Sequence, residues 1–420
     1  MSPAVPRRIV GIADTDSYVK WAAALLGALG SEWDAELLVL ETPVVVSATQ
    51  ERAAVSRSAL ERVSRIGYEE LAERLTAVRP DVVLIAARGP LVRVVARLVA
   101  GLSPRPVIVS GLPGISIPAT KKALIYRTQC DLFVLHSRRE VREFTALARL
   151  RGDAQRFALT RLPFADARPD APPAPVGTDL VFAAQAIVPV ERDDRLRVAR
   201  LLVRAAEADP SRRVVLKLRG VAGEHQTHLE SEALPDLLAS LGPLPRNLVT
   251  STAAMAKALD TAEGLVTVSS TAAIEAVARG IPVIALDTFG VSAELINQVF
   301  TGSGLFGGEE DVVARRLRHP SPSWLRDNYF HEPVDEDLPM LLEALVARRR
   351  EGRLPAKAPL ARSGGRLREA WERKIVLGRH DRTPSGFAAM TIGMPLRGVV
   401  RIGQRTRRRV MGTAGESLAA

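Results

Sequence analysis

From Arg7 onward, short aliphatic runs alternate with helix-length stretches, and this alternation limits the fold more than anything else in the sequence. The runs RRIVGIA, AELLVLE, DVVLIAA, PVIVSG, DLFVLH and RFALTRL follow one another up to Leu162, with helical patterns over Ser17–Leu29, Gln50–Val78 and Pro90–Ala100. Strands separated by helices pair in parallel through crossovers, so the pattern predicts an α/β fold with helices on both faces of a mainly parallel sheet.

At Leu162 the alternation stops. The segment PFADARPDAPPAPVGTD is rich in Pro, Ala and Asp and has no apolar period, so it reads as a linker. The alternation then restarts with DLVFAA, RRVVLKL, NLVTS, GLVTVSS and IPVIAL, with helices expected over Glu191–Ala208, Glu224–Leu241, Thr252–Leu259 and Thr271–Arg279. The expected organisation is a Rossmann-like domain over 1–162, a linker over 163–178 and a second such domain over 179–320. Helices are expected over 321–350, then a basic, partly disordered tail over 351–420. Two doubly wound domains facing a central cleft would bind ligand beyond the C-terminal ends of their strands.

At 420 residues the chain is long enough for two cores, and 47% hydrophobic with 25% charged residues is ordinary for a globular protein. The longest apolar run, Leu91–Leu102, is short of a membrane span and carries Arg93 and Arg97. The first residues lack the apolar core of a signal peptide, so a cytoplasmic location is expected. One cysteine, Cys130, excludes an internal disulfide and a Cys-based zinc site. The net charge of +11 belongs to the C-terminal part: Arg348–Arg409 holds 18 Lys and Arg against 4 Asp and Glu, leaving the rest slightly acidic. With aromatic residues at 4%, neither charge nor stacking groups suit a nucleic-acid partner.

Candidate chemistry lies at the expected strand ends. In VTVSSTAAIEAVARGIPVIAL, Ser269, Ser270 and Thr271 stand where a strand gives way to a short helix. Such a turn offers hydroxyl caps and outward amides to a phosphate, with Glu275 one turn into the helix; plain capping and a solvated glutamate is the alternative. Gly280 is placed to end the helix, and Pro282 begins the next strand. In RRVVLKLRGVAGEH, Lys217 and Arg219 at a strand end could hold a diphosphate, or could be solvated edge charges. His225 and His228 lack an evident third ligand, so no metal is expected.

In GIADTDSYVKW, Asp14, Asp16 and Ser17 fall at the end of the first strand, where a carboxylate can act as a general base or simply cap the helix. The loop SGLPGISIPATKK, with Gly111 and Gly114, suits an acceptor-binding wall or a structural turn. His136 and Ser137 are adjacent without a Gly-x-Ser-x-Gly turn, which argues against a serine hydrolase. Walker and Gly-x-Gly-x-x-Gly motifs are absent.

With these residues in place, the chain resembles a two-domain glycosyltransferase of the GT-B type, and more narrowly an actinobacterial glycosyltransferase family, from about Arg7 to Pro320. It is similar also to bacterial sialyltransferases, polysialyltransferases and capsule Kdo transferases, which use CMP-activated sugars. The resemblance implies a base in Asp14-Thr15-Asp16 and a donor-phosphate motif in Ser269-Ser270-Thr271. At the place of those families' His-Pro motif stands Lys217-Leu218-Arg219-Gly220, a departure that also opens UDP and GDP donors. The activity implied is an inverting, metal-independent transfer from a nucleotide-sugar substrate, with no cofactor, to a cell-surface glycan or lipid-linked acceptor. The basic tail, mixing Arg with Ile, Val and Leu, suits an anionic membrane surface or a disordered extension. The alternatives are a sugar-nucleotide epimerase, a polyol-phosphate transferase and a non-catalytic nucleotide- or glycan-binding protein.

Overall fold

The computed structural model describes residues 6–55, 58–163, 165, 177–185, 188–218, 233–360 and 365–391. By contacts the chain divides into two compact units, one of residues 1–108 with 349–420 and one of residues 109–348.

The strands of the first sheet are β1 (Arg7–Ala13), β2 (Trp33–Leu40), β3 (Val63–Ile66), β4 (Val82–Ala86), β5 (Val107–Gly111), β6 (Leu132–Leu135) and β7 (Phe157–Leu159), in the order β3-β2-β1-β4-β5-β6-β7. Those of the second are β8 (Asp179–Ala183), β9 (Val214–Lys217), β10 (Leu248–Ser251), β11 (Ala262–Thr267), β12 (Val283–Leu286) and β13 (Phe306–Gly307), in the order β10-β9-β8-β11-β12-β13. Pairing is parallel in both. Each sheet starts in its middle, runs to one edge and returns to the other side, the doubly wound Rossmann topology. Each therefore has a point where the winding reverses, between β1 and β4 in the first sheet and between β8 and β11 in the second.

The runs form strands because both faces of the sheet are covered. In β4, β5 and β8 every residue is buried, and continuous Val, Ile and Leu runs suit such sites better than alternating ones do. In the second sheet, Leu180, Phe182, Val214, Leu216, Val266 and Ile284 pack one face against helix Arg192–Ala208. Val181, Leu265, Val283 and Ala285 pack the other with Ala272, Ala273, Phe300 and Trp324. Each buried Val, Leu, Ile or Phe among them contributes about 1.5–3 kcal/mol by leaving water.

Several boundaries differ from the sequence expectation. The stretch Gln50–Val78 is divided among the end of helix Ala48–Val55, strand β3 and helix Tyr68–Val78, because VSRI pairs with Leu37–Leu40 at the sheet edge. The helix expected from Thr252 begins at Met255, and that expected from Glu224 is described only over Leu234–Ala239. Most of the linker, Gly220, Gly223, His225, His228 and residues 392–420 of the tail lie outside the described residues.

Part of the 351–420 tail is described. Residues 365–391 are largely helical, and helix Gly365–Leu377 is fastened to helix Gly89–Ala100 by Arg97 with Glu369 and Glu372. Arg349 and Arg350 both reach the buried Asp81 carboxylate, which lies below its ordinary range although burial opposes that: the Arg350 hydrogen bond, the Arg8 amide and both arginine charges prevail. Paired arginines, rather than free basic charge, thus anchor this stretch. No helix among the described residues is long and apolar enough to cross a membrane.

Candidate active site

The reversal point of the second sheet is closed by side chains. Gln185, two residues beyond β8, accepts the Ser269 backbone N–H on Oε1 at 2.8 Å and donates from Nε2 to Ser269 Oγ at 3.0 Å. Thr267, the last residue of β11, accepts the Ser270 N–H at 3.1 Å and donates to the Ala183 carbonyl at 3.2 Å. The ends of β8 and β11 are thereby tied together below the Ser-Ser-Thr turn. Lys217 ends β9 in register with Ala183, is 5% exposed, and donates from Nζ to the Leu218 carbonyl. The hydroxyl of Thr288, beyond β12, is buried with no hydrogen-bond partner among the described residues.

The turn then opens helix Ala272–Ala278. Ser270 Oγ accepts the Ala272 N–H at 3.2 Å, so Ser270 is the hydroxyl that caps, while Thr271 makes no side-chain cap. Two amides, of Ser270 and Thr271, were expected to face a phosphate. The first is committed to Thr267, and the second has no acceptor among the described residues. Glu275 is half-buried on that helix. The helix ends as expected: Gly280 has φ +71°, its N–H reaches the Val277 carbonyl, and the Ile281 N–H reaches that of Ala276. This pair of bonds needs a left-handed residue, which glycine supplies without strain. Arg219 lies outside the described residues.

Gly114 comes to this turn as well. A Cβ built on it would lie 2.9 Å from Thr271 Oγ1, so its lack of a side chain lets the loop backbone approach the threonine. Gly111 is different: its carbonyl accepts Nη2 of Arg127 at 2.9 Å, and that arginine is buried against Phe133. Gly111 is therefore fixed inside the structure.

In the other unit, the reversal point between β1 and β4 holds Asp14. Its carboxylate is fully buried and accepts Arg88 Nε at 2.7 Å and the Arg88 N–H at 3.2 Å. Burial raises its pKa, and Arg88 opposes the rise. Asp16 opens helix Asp16–Gly27 and is half-buried. Thr15 is the N-cap residue of that helix and makes no side-chain cap, so the helix start is not an aspartate cap. Ser17 donates to Asp16 Oδ1 at the long distance of 3.5 Å.

His136 and Ser137 form no dyad. Both imidazole nitrogens face backbone carbonyls, of Thr160 at 3.0 Å and Leu112 at 3.1 Å, and Ser137 Oγ caps the next helix at the Glu140 N–H. Sequence reasoning missed Gln185 and Thr267. The available signals were a lone glutamine just past a buried strand and a threonine inside an apolar one.

Two Rossmann-like sheets, each with polar side chains at its reversal point, define a GT-B-type α/β protein. Solved structures bear this out for the fold. Staphylococcus aureus MnaA in complex with UDP is 11% identical, with a TM-score of 0.53, over 84% of this chain and 99% of that one. A Listeria monocytogenes protein described as a "putative UDP-N-acetylglucosamine 2-epimerase" is 13% identical, with a TM-score of 0.52, over 84% and 100%. The chain belongs to the family described as "Putative glycosyltransferase (DUF6716)", whose model matches residues 9–345. No curated protein matches its sequence.

Proposed function

We propose that the protein transfers a sugar from a nucleotide-activated donor to an acceptor hydroxyl, with the donor's phosphates over the Ser269–Thr271 turn. The observation that carries this is the polar construction of the second sheet's reversal point, where Gln185, Thr267, Ser269 and Ser270 brace a turn, with the buried Lys217 at the end of β9 on the other side of β8. A fixed cation and the Thr271 amide stabilise charge growing on a leaving phosphate without reorganising, which is where electrostatic catalysis contributes most. The bond from the anomeric carbon to the phosphate oxygen breaks, its electron pair stays on the nucleotide, and the acceptor oxygen bonds to the carbon with inversion. A carboxylate takes the acceptor's proton. Asp16 suits that role better than Asp14, whose oxygens both accept from Arg88. Metal is dispensable if Lys217 and Arg219 balance the phosphate charge.

The donor is a CMP-sugar by the sequence resemblance, and the UDP held by the S. aureus structure makes uracil the other base to test. The acceptor is a cell-surface glycan or a lipid-linked sugar at an anionic membrane. Supporting the membrane arm, Leu367, Ile375 and Phe387 are exposed ahead of a segment carrying six arginines and one glutamate. A thermal-shift series with CMP, CDP, UDP and GDP tests the donor site: one nucleotide should raise the melting temperature, and Ser270→Ala with Lys217→Ala should abolish the rise. A shift that survives both substitutions would move the site elsewhere. Anionic vesicles should sediment the full chain but not one cut after residue 391.

The epimerase reading is favoured by the fold it shares with the L. monocytogenes structure. Incubation with UDP-N-acetylglucosamine alone separates it, since an epimerase converts the sugar without an acceptor and a transferase requires one.

A further inference from the structure

The loop from Leu112 to Thr120 is tied down at intervals, and two of the ties meet at one buried carboxylate. Ser116 donates both its N–H and its Oγ to Glu140 Oε1, at 3.0 and 2.7 Å. The hydroxyl of Tyr329 donates to the same oxygen at 2.7 Å, and the His136 N–H donates to Oε2 at 2.9 Å. Leu112 is held from the other side, its carbonyl facing His136 Nε2. Glu140 and His136 are completely buried and Tyr329 is 1% exposed. A carboxylate without hydrogen bonds would cost several kcal/mol there, and the four donors offset that cost. Burial and the neighbouring Glu140 charge both raise the Tyr329 pKa well above its ordinary value, so its hydroxyl keeps the proton it donates.

Between the two anchors, Leu112 and Ser116, sits Gly114, whose backbone meets Thr271. On either side of Ser116, Ile115 and Ile117 pack into the apolar cluster that holds Ala272 and Ala273, the first residues of the helix after the turn. Glu140 therefore holds a loop, and the loop backs the turn.

We propose that Glu140 is a positioning residue for the donor site: it fixes the 112–117 loop as the surface against which Thr271 and the first turn of helix 272–278 are held. Its carboxylate touches no substrate and acts through Ser116 and Gly114. This rests on the reading of the Ser-Ser-Thr turn as the donor site, but the mechanical link does not.

The test compares the full-length wild type with Glu140→Gln. The amide keeps the shape but places an N–H₂ group opposite a donor, whichever way it is turned. Hydrogen exchange is expected to rise about tenfold both at 112–117 and at 269–273, with the far-UV spectrum unchanged. The dissociation constant of whichever of CMP or UDP binds the wild type should rise about fivefold or more. Faster exchange at 112–117 with the 269–273 segment unchanged overturns the proposal, as does unaltered nucleotide affinity. If Glu140→Gln does not fold, Ser116→Ala removes the hydroxyl's bond to Glu140, keeps the N–H, and should give the same paired response more weakly. Gly114→Ala leaves the Glu140 bonds in place and pushes a methyl group onto Thr271, so it should weaken nucleotide binding while exchange at Ser116 stays slow. If neither nucleotide binds the wild type while both segments respond together, the positioning link stands and the proposed donor site falls.

Discussion

Gln185 and Ser269 bind each other at both ends of their polar groups: the glutamine oxygen accepts the serine N–H at 2.8 Å and its nitrogen donates to the serine hydroxyl at 3.0 Å. The two residues lie just beyond β8 and β11, the strands between which the winding of the second sheet reverses. A side chain from one strand end thus shapes the backbone of the other.

Gln185→Ala removes the acceptor of a buried N–H, since Ser269 is 4% exposed. The expected loss is about 1–3 kcal/mol in urea unfolding, with the slope unchanged. Any nucleotide-induced rise in melting temperature should vanish in the same variant. Retention of the full rise would show that the turn is shaped without Gln185.

Asp14 and Asp16 separate by what each substitution disturbs. Asp14 has a raised pKa because burial outweighs Arg88, so the folded state holds its proton more tightly than the unfolded state does. Its contribution to stability grows as pH falls through the folded pKa and levels off below the unfolded value, about 3.9. The stability of wild type relative to Asp14→Asn should therefore increase as pH drops from neutral towards 4 in guanidinium titrations. Asp16→Asn should leave stability within about 0.5 kcal/mol, as a change outside the core does, and abolish sugar transfer. Full turnover in Asp16→Asn would assign the base elsewhere.

His331 is 3% exposed, and neither of its ring nitrogens makes a hydrogen bond of ordinary geometry among the described residues. Burial lowers its pKa, against the backbone of Asn328 and the carboxylates of Glu336 and Asp335. The unfolded chain binds the proton more readily, so stability is present above about pH 6.5 and is lost as pH falls from there through the folded pKa. Melting temperature against pH should show this loss in the wild type and less of it in His331→Leu. Parallel curves would mean that the imidazole binds its proton equally well in the folded and the unfolded chain.

Gly280→Ala forces a side chain into φ +71° at the end of the helix that follows the turn. About 1–2 kcal/mol of stability should be lost, measured by urea unfolding. An unchanged midpoint would mean that the helix end relaxes to a different cap.

The chain order of strands and helices was legible because parallel pairing leaves its mark on sequence: residues buried on both faces must be apolar without interruption, and crossovers must be helical. For the same reason Ser269, Ser270, Thr271 and Lys217 could be assigned to strand ends, and Gly280 to the end of a helix. Strand β3 was illegible because VSRI lies at an edge, where two exposed polar residues break the apolar run.

Which strand ends stand side by side is another matter. That depends on the order in which strands join the sheet, and no local pattern carries it. The tertiary structure alone decided that Gln185 meets Ser269, that Asp14 is held by Arg88 some seventy residues away, and that Gly114 rests on Thr271. Helical and strand periods record what each residue must bury, whereas these contacts arise from the return of the chain, and only the packed sheets bring their partners within hydrogen-bonding reach.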